Sequence, residues 1–338
     1  MAAKARASQG VCGCLSTNHS VITSRFKLLA QALMRFVSKE TMGNYHHACR
    51  LGNFGVSTDG SNARMNTLNT NSTRMPTWFV PHGGGPCFFM DWNPIDAWDR
   101  MAHYLKTAAS TLPRQPKAIV LVSAHWLEPH IAVTSGAHPE LIYDYHGFPP
   151  HTYELKYPAP GAPALAARIV DLLQAQGIPA QQDVKRGFDH GVFIPMKLMF
   201  PDANIPVVQL SLHNSLDPEH HLHTGRALQA LRDEDVLIIG SGMSFHNMRA
   251  YGNPQYAPIS DEFDNWLTQA VQAEPHERDK LLADWTKAPR ARDCHPPRAE
   301  EHLLPLMTVA GAAGNTVGRK VFSDRVMETT LSAFAFSD

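Results

Sequence analysis

An α/β fold is what the sequence predicts, and three observations carry the prediction. From Met75 onward, strand-like and helix-like segments alternate. Two of the strand-like runs, Ala118–Ser123 (AIVLVS) and Val236–Gly240 (VLIIG), are apolar without interruption, as expected of parallel strands buried on both faces. The chain has 338 residues, 43% hydrophobic and 18% charged, which is enough apolar material for a sizeable core.

Taken in order, residues 1–75 stand apart from the rest. No acidic residue occurs through Lys39, while Lys4, Arg6, Arg25, Lys27 and Arg35 are basic, and Ser, Thr and Asn dominate up to Arg74. This is the composition of a transit peptide, and 22–37 has amphipathic spacing through Phe26, Leu29, Ala30, Leu33 and Phe36. The other reading is a disordered or mis-assigned extension ahead of a true start at Met75. Either way the folded body is expected over 76–338.

In the body, Thr77–Val80 reads as a short strand. Pro94–Leu112 reads as a helix with Trp98, Met101, Leu105 and Ala108 on one stripe. After the strand Ala118–Ser123, the helix Ala162–Gln176 is opened by Pro160-Gly161 and stopped by Gly177. Pro206–Leu212 is a strand, Pro218–Arg232 a helix and Val236–Gly240 a strand. Ser260–Ala273 and Glu300–Ala313 close the chain as helices. The stretch 275–297, rich in Pro, Arg and His, reads as a surface loop.

Charge and cysteine content narrow the function. Thirty basic and 31 acidic residues give a net charge of -1, against the basic excess of a nucleic-acid binder. No apolar run is long enough to span a bilayer. Five cysteines without zinc-finger spacing read as free thiols in a reducing, cytoplasmic setting. Nothing in the sequence fixes an oligomeric state.

The 19 histidines carry the functional signal. Three strand-like runs end in histidine, at His82, His125 and His246. The carboxyl ends of parallel strands converge on one crevice, so three such imidazoles would point into one space. Neutral imidazole is a common ligand of iron and zinc, and three protein ligands leave positions open for water and substrate. The plainer alternative, loop histidines satisfied by hydrogen bonds, stays open at this point. His190, in Gly187-Phe188-Asp189-His190-Gly191, is a fourth candidate. His213 follows a strand and can reach the crevice, whereas His220, His221 and His223 read as solvated on a polar helix. His82-Gly83-Gly84-Gly85 also matches the oxyanion loop of esterases. That chemistry needs a G-x-S-x-G elbow, which the chain lacks; Ser241 in Gly240-Ser241-Gly242 has no glycine at the right offset.

Several motifs occur together in one order: Pro81-His82-Gly83, Ser123-Ala124-His125-Trp126, Tyr157-Pro158-Ala159-Pro160-Gly161, Gly187-Phe188-Asp189-His190-Gly191, Pro206–Ser211, His246-Asn247 and Glu301–Leu306. In order and spacing they resemble the class III extradiol ring-cleavage dioxygenases of the LigB type, in the DOPA 4,5-dioxygenase-like branch. The resemblance covers 76–338. It implies a single α/β domain around a mixed, largely parallel sheet, with the active crevice at the strand carboxyl ends. It implies a mononuclear Fe(II), or Zn(II) in some members, held by His82, His125 and His246. His190 is implied as acid/base or fourth ligand, and His302 as a pocket histidine near the substrate. The implied reaction opens a catechol ring with O2. The sequence departs from the pattern in its glycine-rich Pro81–Pro86 loop, which bears on the substrate rather than the fold. Rival functions are a zinc-dependent hydrolase and a non-catalytic small-molecule binder on the same fold.

Overall fold

The computed structural model describes residues 74–337, so the leader-like features read in the first 73 residues lie outside the described residues. Eight strands form one sheet: β1 (Thr77–Pro81), β2 (Ala118–Glu128), β3 (Ile131–Thr134), β4 (Ala180–Asp183), β5 (Val207–His213), β6 (Val236–Gly242), β7 (Gly318–Val326) and β8 (Thr329–Phe336). Their order is β4-β3-β5-β2-β6-β1-β8-β7. The central β5-β2-β6-β1 block is parallel, in register from Ile119↔Val207 through Val120↔Ile238 to Thr77↔Ile238. β3 is parallel to β4 and antiparallel to β5, and β8 and β7 continue the other side antiparallel. The sheet is therefore mixed and largely parallel, as expected, and its central strands are buried on both faces.

Eight helices accompany the sheet among the described residues: α1 (Asp99–Ala108), α2 (Pro163–Ala175), α3 (His190–Met199), α4 (Pro218–Ala227), α5 (Tyr256–Gln272), α6 (Pro275–Ala283), α7 (Ala291–Cys294) and α8 (Leu304–Ala313). None is long and apolar enough to cross a membrane. Every residue of α8 is buried. It lies against α4 so closely that a Cβ on Gly225 would sit 2.0 Å from the Thr308 carbonyl, and one on Gly311 2.1 Å from that of Leu222. Glycine at both positions is what lets the two backbones meet.

Several expectations need correction. The helix predicted over 94–112 is α-helical only from Asp99, because residues 94–98 form a turn; its stripe of Met101, Leu105 and Ala108 is buried as predicted. The stretch 275–297 is not a loop but holds α6, a 3-10 turn at Trp285–Lys287 and α7. Pro275 occupies the first turn of α6, where a missing N–H costs nothing. Residues 300–303 precede α8 rather than belonging to it. The chain does not end on helices but on the β7–β8 hairpin. Its turn residues Met327 and Glu328 both have positive φ (45° and 65°), a conformation that sequence normally signals with Asn or Gly. α3 was not predicted: Gly191 and Pro195 look like breakers, and its residues are buried almost all round, which erases any amphipathic period.

Candidate metal centre

The top of the parallel block gathers His82, His125, His190, His246 and His302, whereas His213 sits with His220 and His221. His82 directly follows β1, its N–H donating to the Gly242 carbonyl at the end of β6 (3.2 Å). His125 lies within β2 rather than beyond it. The strand continues to Glu128, and its pairing with β5 is irregular between Val122 and Leu127, where His125 sits. His246 lies in the loop after β6. That loop is pinned to α7, since the His246 N–H donates to the Cys294 carbonyl (3.0 Å) and Asn247 Nδ2 to that of Asp293 (2.7 Å). His190 is the first residue of α3. His302 precedes α8 and its carbonyl accepts from Met243 N–H (2.9 Å).

The rings are in mutual contact. His82 Nε2 and His125 Nε2 are 3.1 Å apart. Ring centroids are separated by 3.9 Å for His125–His190, 4.8 Å for His125–His302 and 5.2 Å for His82–His302. His246 stacks on His302 at 3.4 Å, 16° from parallel. Three sets of side chains offer ligand atoms within 4.8 Å of one another: His82, His125 and His302; His125, Asp144 and His190; His246, Glu301 and His302. His246 thus shares its set with Glu301 and His302, one ring away from the His82–His125 pair.

Two carboxylates orient the rings. Asp144 Oδ1 accepts from both the backbone N–H (2.9 Å) and Nδ1 (2.8 Å) of His190, while its Oδ2 lies 3.8 Å from His125 Nδ1. Glu301 Oε1 accepts from His302 Nδ1 at 2.9 Å and stands 3.7 Å from His246 Nδ1. With Nδ1–H engaged, His190 and His302 each carry their lone pair on Nε2. A third carboxylate, Asp189, is wholly buried and bonded to Ser123 Oγ (2.6 Å), Arg186 (3.2 Å) and Gln209 Nε2. It ties β2 and β5 to the entry of α3. Gly191 completes this packing, since a Cβ there would meet Ser123 Oγ at 2.5 Å and His125 Cδ2 at 3.0 Å.

Burial keeps His82, His125, His246 and His302 neutral. It lowers His82, His125 and His302 well below the usual histidine value, and the neighbouring imidazoles push the same way. His246 falls to about 3, through burial first and then His295 and His190. Burial raises the Asp144 carboxyl, but the charge of His190 and its hydrogen bonds outweigh this and the net shift is downward. Asp189 is held above the usual carboxylate value by burial and by Asp144. Neutral nitrogens beside carboxylates suit Fe(II) or Zn(II) as a donor set. His246 Nδ1, moreover, is buried without a hydrogen-bond partner, a vacancy that a ligated cation would fill.

Sequence reasoning missed Asp144 and the orienting role of Glu301, and it noticed Asp189 as a loop cap, whereas the structure makes it a buried tie between strands. Asp189 and Glu301 are the immediate neighbours of His190 and His302, and that adjacency was the available signal. Asp144 sits in an irregular loop and carries none. The solvated reading of the α4 histidines also fails. His221 is buried, its Nδ1–H donating to the Asp217 carbonyl (2.6 Å) and its Nε2 accepting from His213 N–H (3.1 Å), while His220 and His223 are half-buried. His213 pairs with this group, its ring 4.5 Å from that of His220.

Residues 79–335 match the family described as the catalytic LigB subunit of aromatic ring-opening dioxygenase. The chain is 42% identical over 283 residues to a protein named dioxygenase tasH of Hapsidospora irregularis, covering 78% of this chain and 86% of that one. It is 39% identical to a 4,5-DOPA dioxygenase extradiol of Beta vulgaris (70% and 87% covered). To that of Escherichia coli K12 it is 37% identical (71% and 86%). A crystal structure of an uncharacterized protein from Escherichia coli K12 superposes with a TM-score of 0.62 at 30% identity, covering 78% of this chain and all of that one. The chain therefore belongs to the LigB family of class III extradiol ring-cleavage dioxygenases, in the branch of the 4,5-DOPA dioxygenases.

Proposed function

We infer that the protein opens the ring of a catechol-type aromatic next to its diol, consuming O2, at one metal ion held by His82, His125 and His246 within a catalytic domain over 76–338. The observation that carries this reading is the cluster of buried, neutral imidazoles whose nitrogens face one another at the strand ends. His246 is the third ligand that the resemblance implies, and its unpartnered Nδ1 supports it; His302, with Nδ1 on Glu301, keeps a free Nε2 and shares a donor set with His82 and His125, so it is the competing third ligand. Fe(II) bound there supplies coordination sites for the two adjacent hydroxyls and a redox path to O2, whereas Zn(II) suits the same donors but has no redox chemistry.

The protein's own part is proton handling and positioning. His190 presents Nε2 to the site with Nδ1–H anchored on Asp144, so it can take a proton from a substrate hydroxyl. Asp144 then stabilises the imidazolium that forms, much as a triad carboxylate supports its histidine. The protonated His190 is the acid available to a later step. His302, stacked on His246 and turned by Glu301, lines the same space and can donate or accept at a bound oxygen.

The relatives' names make DOPA the first substrate to test, followed by caffeate and protocatechuate. Protein loaded with Fe(II) under anaerobic conditions is expected to take up O2 with DOPA or another catechol and to form a yellow ring-opened semialdehyde of substrate mass plus O2. Absence of both signals across the panel would refute the reading and leave a hydrolase or a binder.

A further inference from the structure

Ser241 was set aside above as a nucleophile, and its surroundings give it another role. It is fully buried on β6, level with Val80 of β1 and Ser123 of β2. Its Oγ meets two groups, the Gly191 carbonyl in the first turn of α3 and His82 Nδ1 at 3.2 Å. A hydroxyl has a single hydrogen to donate, and a carbonyl oxygen can only accept. The hydrogen of Ser241 therefore goes to Gly191, and Oγ meets His82 as an acceptor. The reverse arrangement would leave a buried carbonyl unpaired, the costlier outcome.

Gly191 needs this hydrogen because of a residue one turn further on. In a regular helix its carbonyl would accept from the N–H of residue 195, but that residue is Pro195, which has none. The proline inside α3 and the serine on β6 thus form one unit.

We propose that Pro195 and Ser241 act as a positioning relay that fixes His82 in its Nδ1–H tautomer, leaving the Nε2 lone pair aimed at the space shared with His125. In the metal-free protein that lone pair can accept a hydrogen from His125 Nε2, 3.1 Å away; in the loaded protein it takes the cation. The purpose of the relay rests on the metal reading above, but the tautomer is a property of the metal-free chain and can be tested without it.

The test uses the full chain with isotope-labelled histidine. Long-range proton–nitrogen spectra of the metal-free protein report which ring nitrogen carries hydrogen, and His82→Gln identifies the His82 signals. Zn(II) affinity is measured separately by chelator competition. The wild type should show His82 as Nδ1–H. Ser241→Ala should give mixed tautomers, lower thermal stability and ~10–100-fold weaker Zn(II) binding. Adding Pro195→Ala supplies an N–H for Gly191, so Ser241→Ala/Pro195→Ala should regain stability while affinity stays low. A serine that served only packing would have both recover together, which would overturn the relay. So would a wild-type His82 protonated on Nε2, or a Ser241→Ala protein that keeps the tautomer and the affinity. If the single Ser241→Ala variant does not fold, the double variant carries the comparison. If the wild type binds no Zn(II) or Fe(II), the metal reading falls, and the spectra alone decide the relay.

Discussion

At the scale of residues, the proposed function separates groups that hold from groups that react. His82→Ala should lose bound metal, read as metal content after dialysis. His190→Ala should keep its metal and lose turnover by ~10²–10⁴-fold, the usual worth of general acid/base help. Parental turnover of catechols in that variant would remove His190 from the chemistry. Asp144→Asn removes the carboxylate that orients His190 and should lower kcat by ~10–100-fold with KM nearly constant. His82, His125 and His246 were legible in the sequence because strand ends in an α/β sheet converge, His190 through its glycine-flanked motif and His302 through the family resemblance. Asp144 and Ser241 were not, because each acts through hydrogen bonds whose partners lie far away in sequence.

At the scale of elements, the site depends on backbones that touch. The contact between α4 and α8 leaves no room for a methyl group at Gly311. Gly311→Ala should therefore destabilise the fold by ~1–3 kcal/mol or more through overpacking, measured as a lower denaturation midpoint. A midpoint at or above the parental one would show that the helices can part at little cost. Central strands and the helix α2 were readable because their burial matches their local period: continuous for β2 and β6, one-sided for α2. α3, with Gly191 and Pro195 in a helix buried almost all round, and the β7–β8 hairpin, whose turn lacks its usual residues, were not, and neither were the short strands β3 and β4 nor α6 and α7; α3 is the element that carries His190.

At the scale of the whole molecule, buried neutral histidines set a lower limit on working pH. His221 lies well away from the reacting groups and is held at about 4 against an ordinary 6.5, chiefly by burial. Between those values the unfolded chain binds a proton that the folded chain refuses. Its stabilising contribution is thus complete above pH 6.5 and falls as pH drops toward 4, by up to ~1.4 kcal/mol per pH unit. Thermal unfolding at pH 7.5 and 5.5 should show this loss, and His221→Gln should flatten the difference; an unchanged pH dependence in that variant would show that His221 does not contribute. The α/β class was legible from composition and alternation, and the mixed sheet through the family resemblance. The sheet order was not, since strand neighbours are chosen by packing between distant segments.

That order has a consequence for synthesis. β1, among the first segments of the body to leave the ribosome, lies inside the sheet, and one of its two neighbours is β8 (Thr329–Phe336). A nascent chain therefore leaves one side of β1, next to His82, unpaired until translation is nearly finished, although all five histidines of the site have by then been made. That unpaired edge must be kept from other strands until the last segment of the sheet arrives.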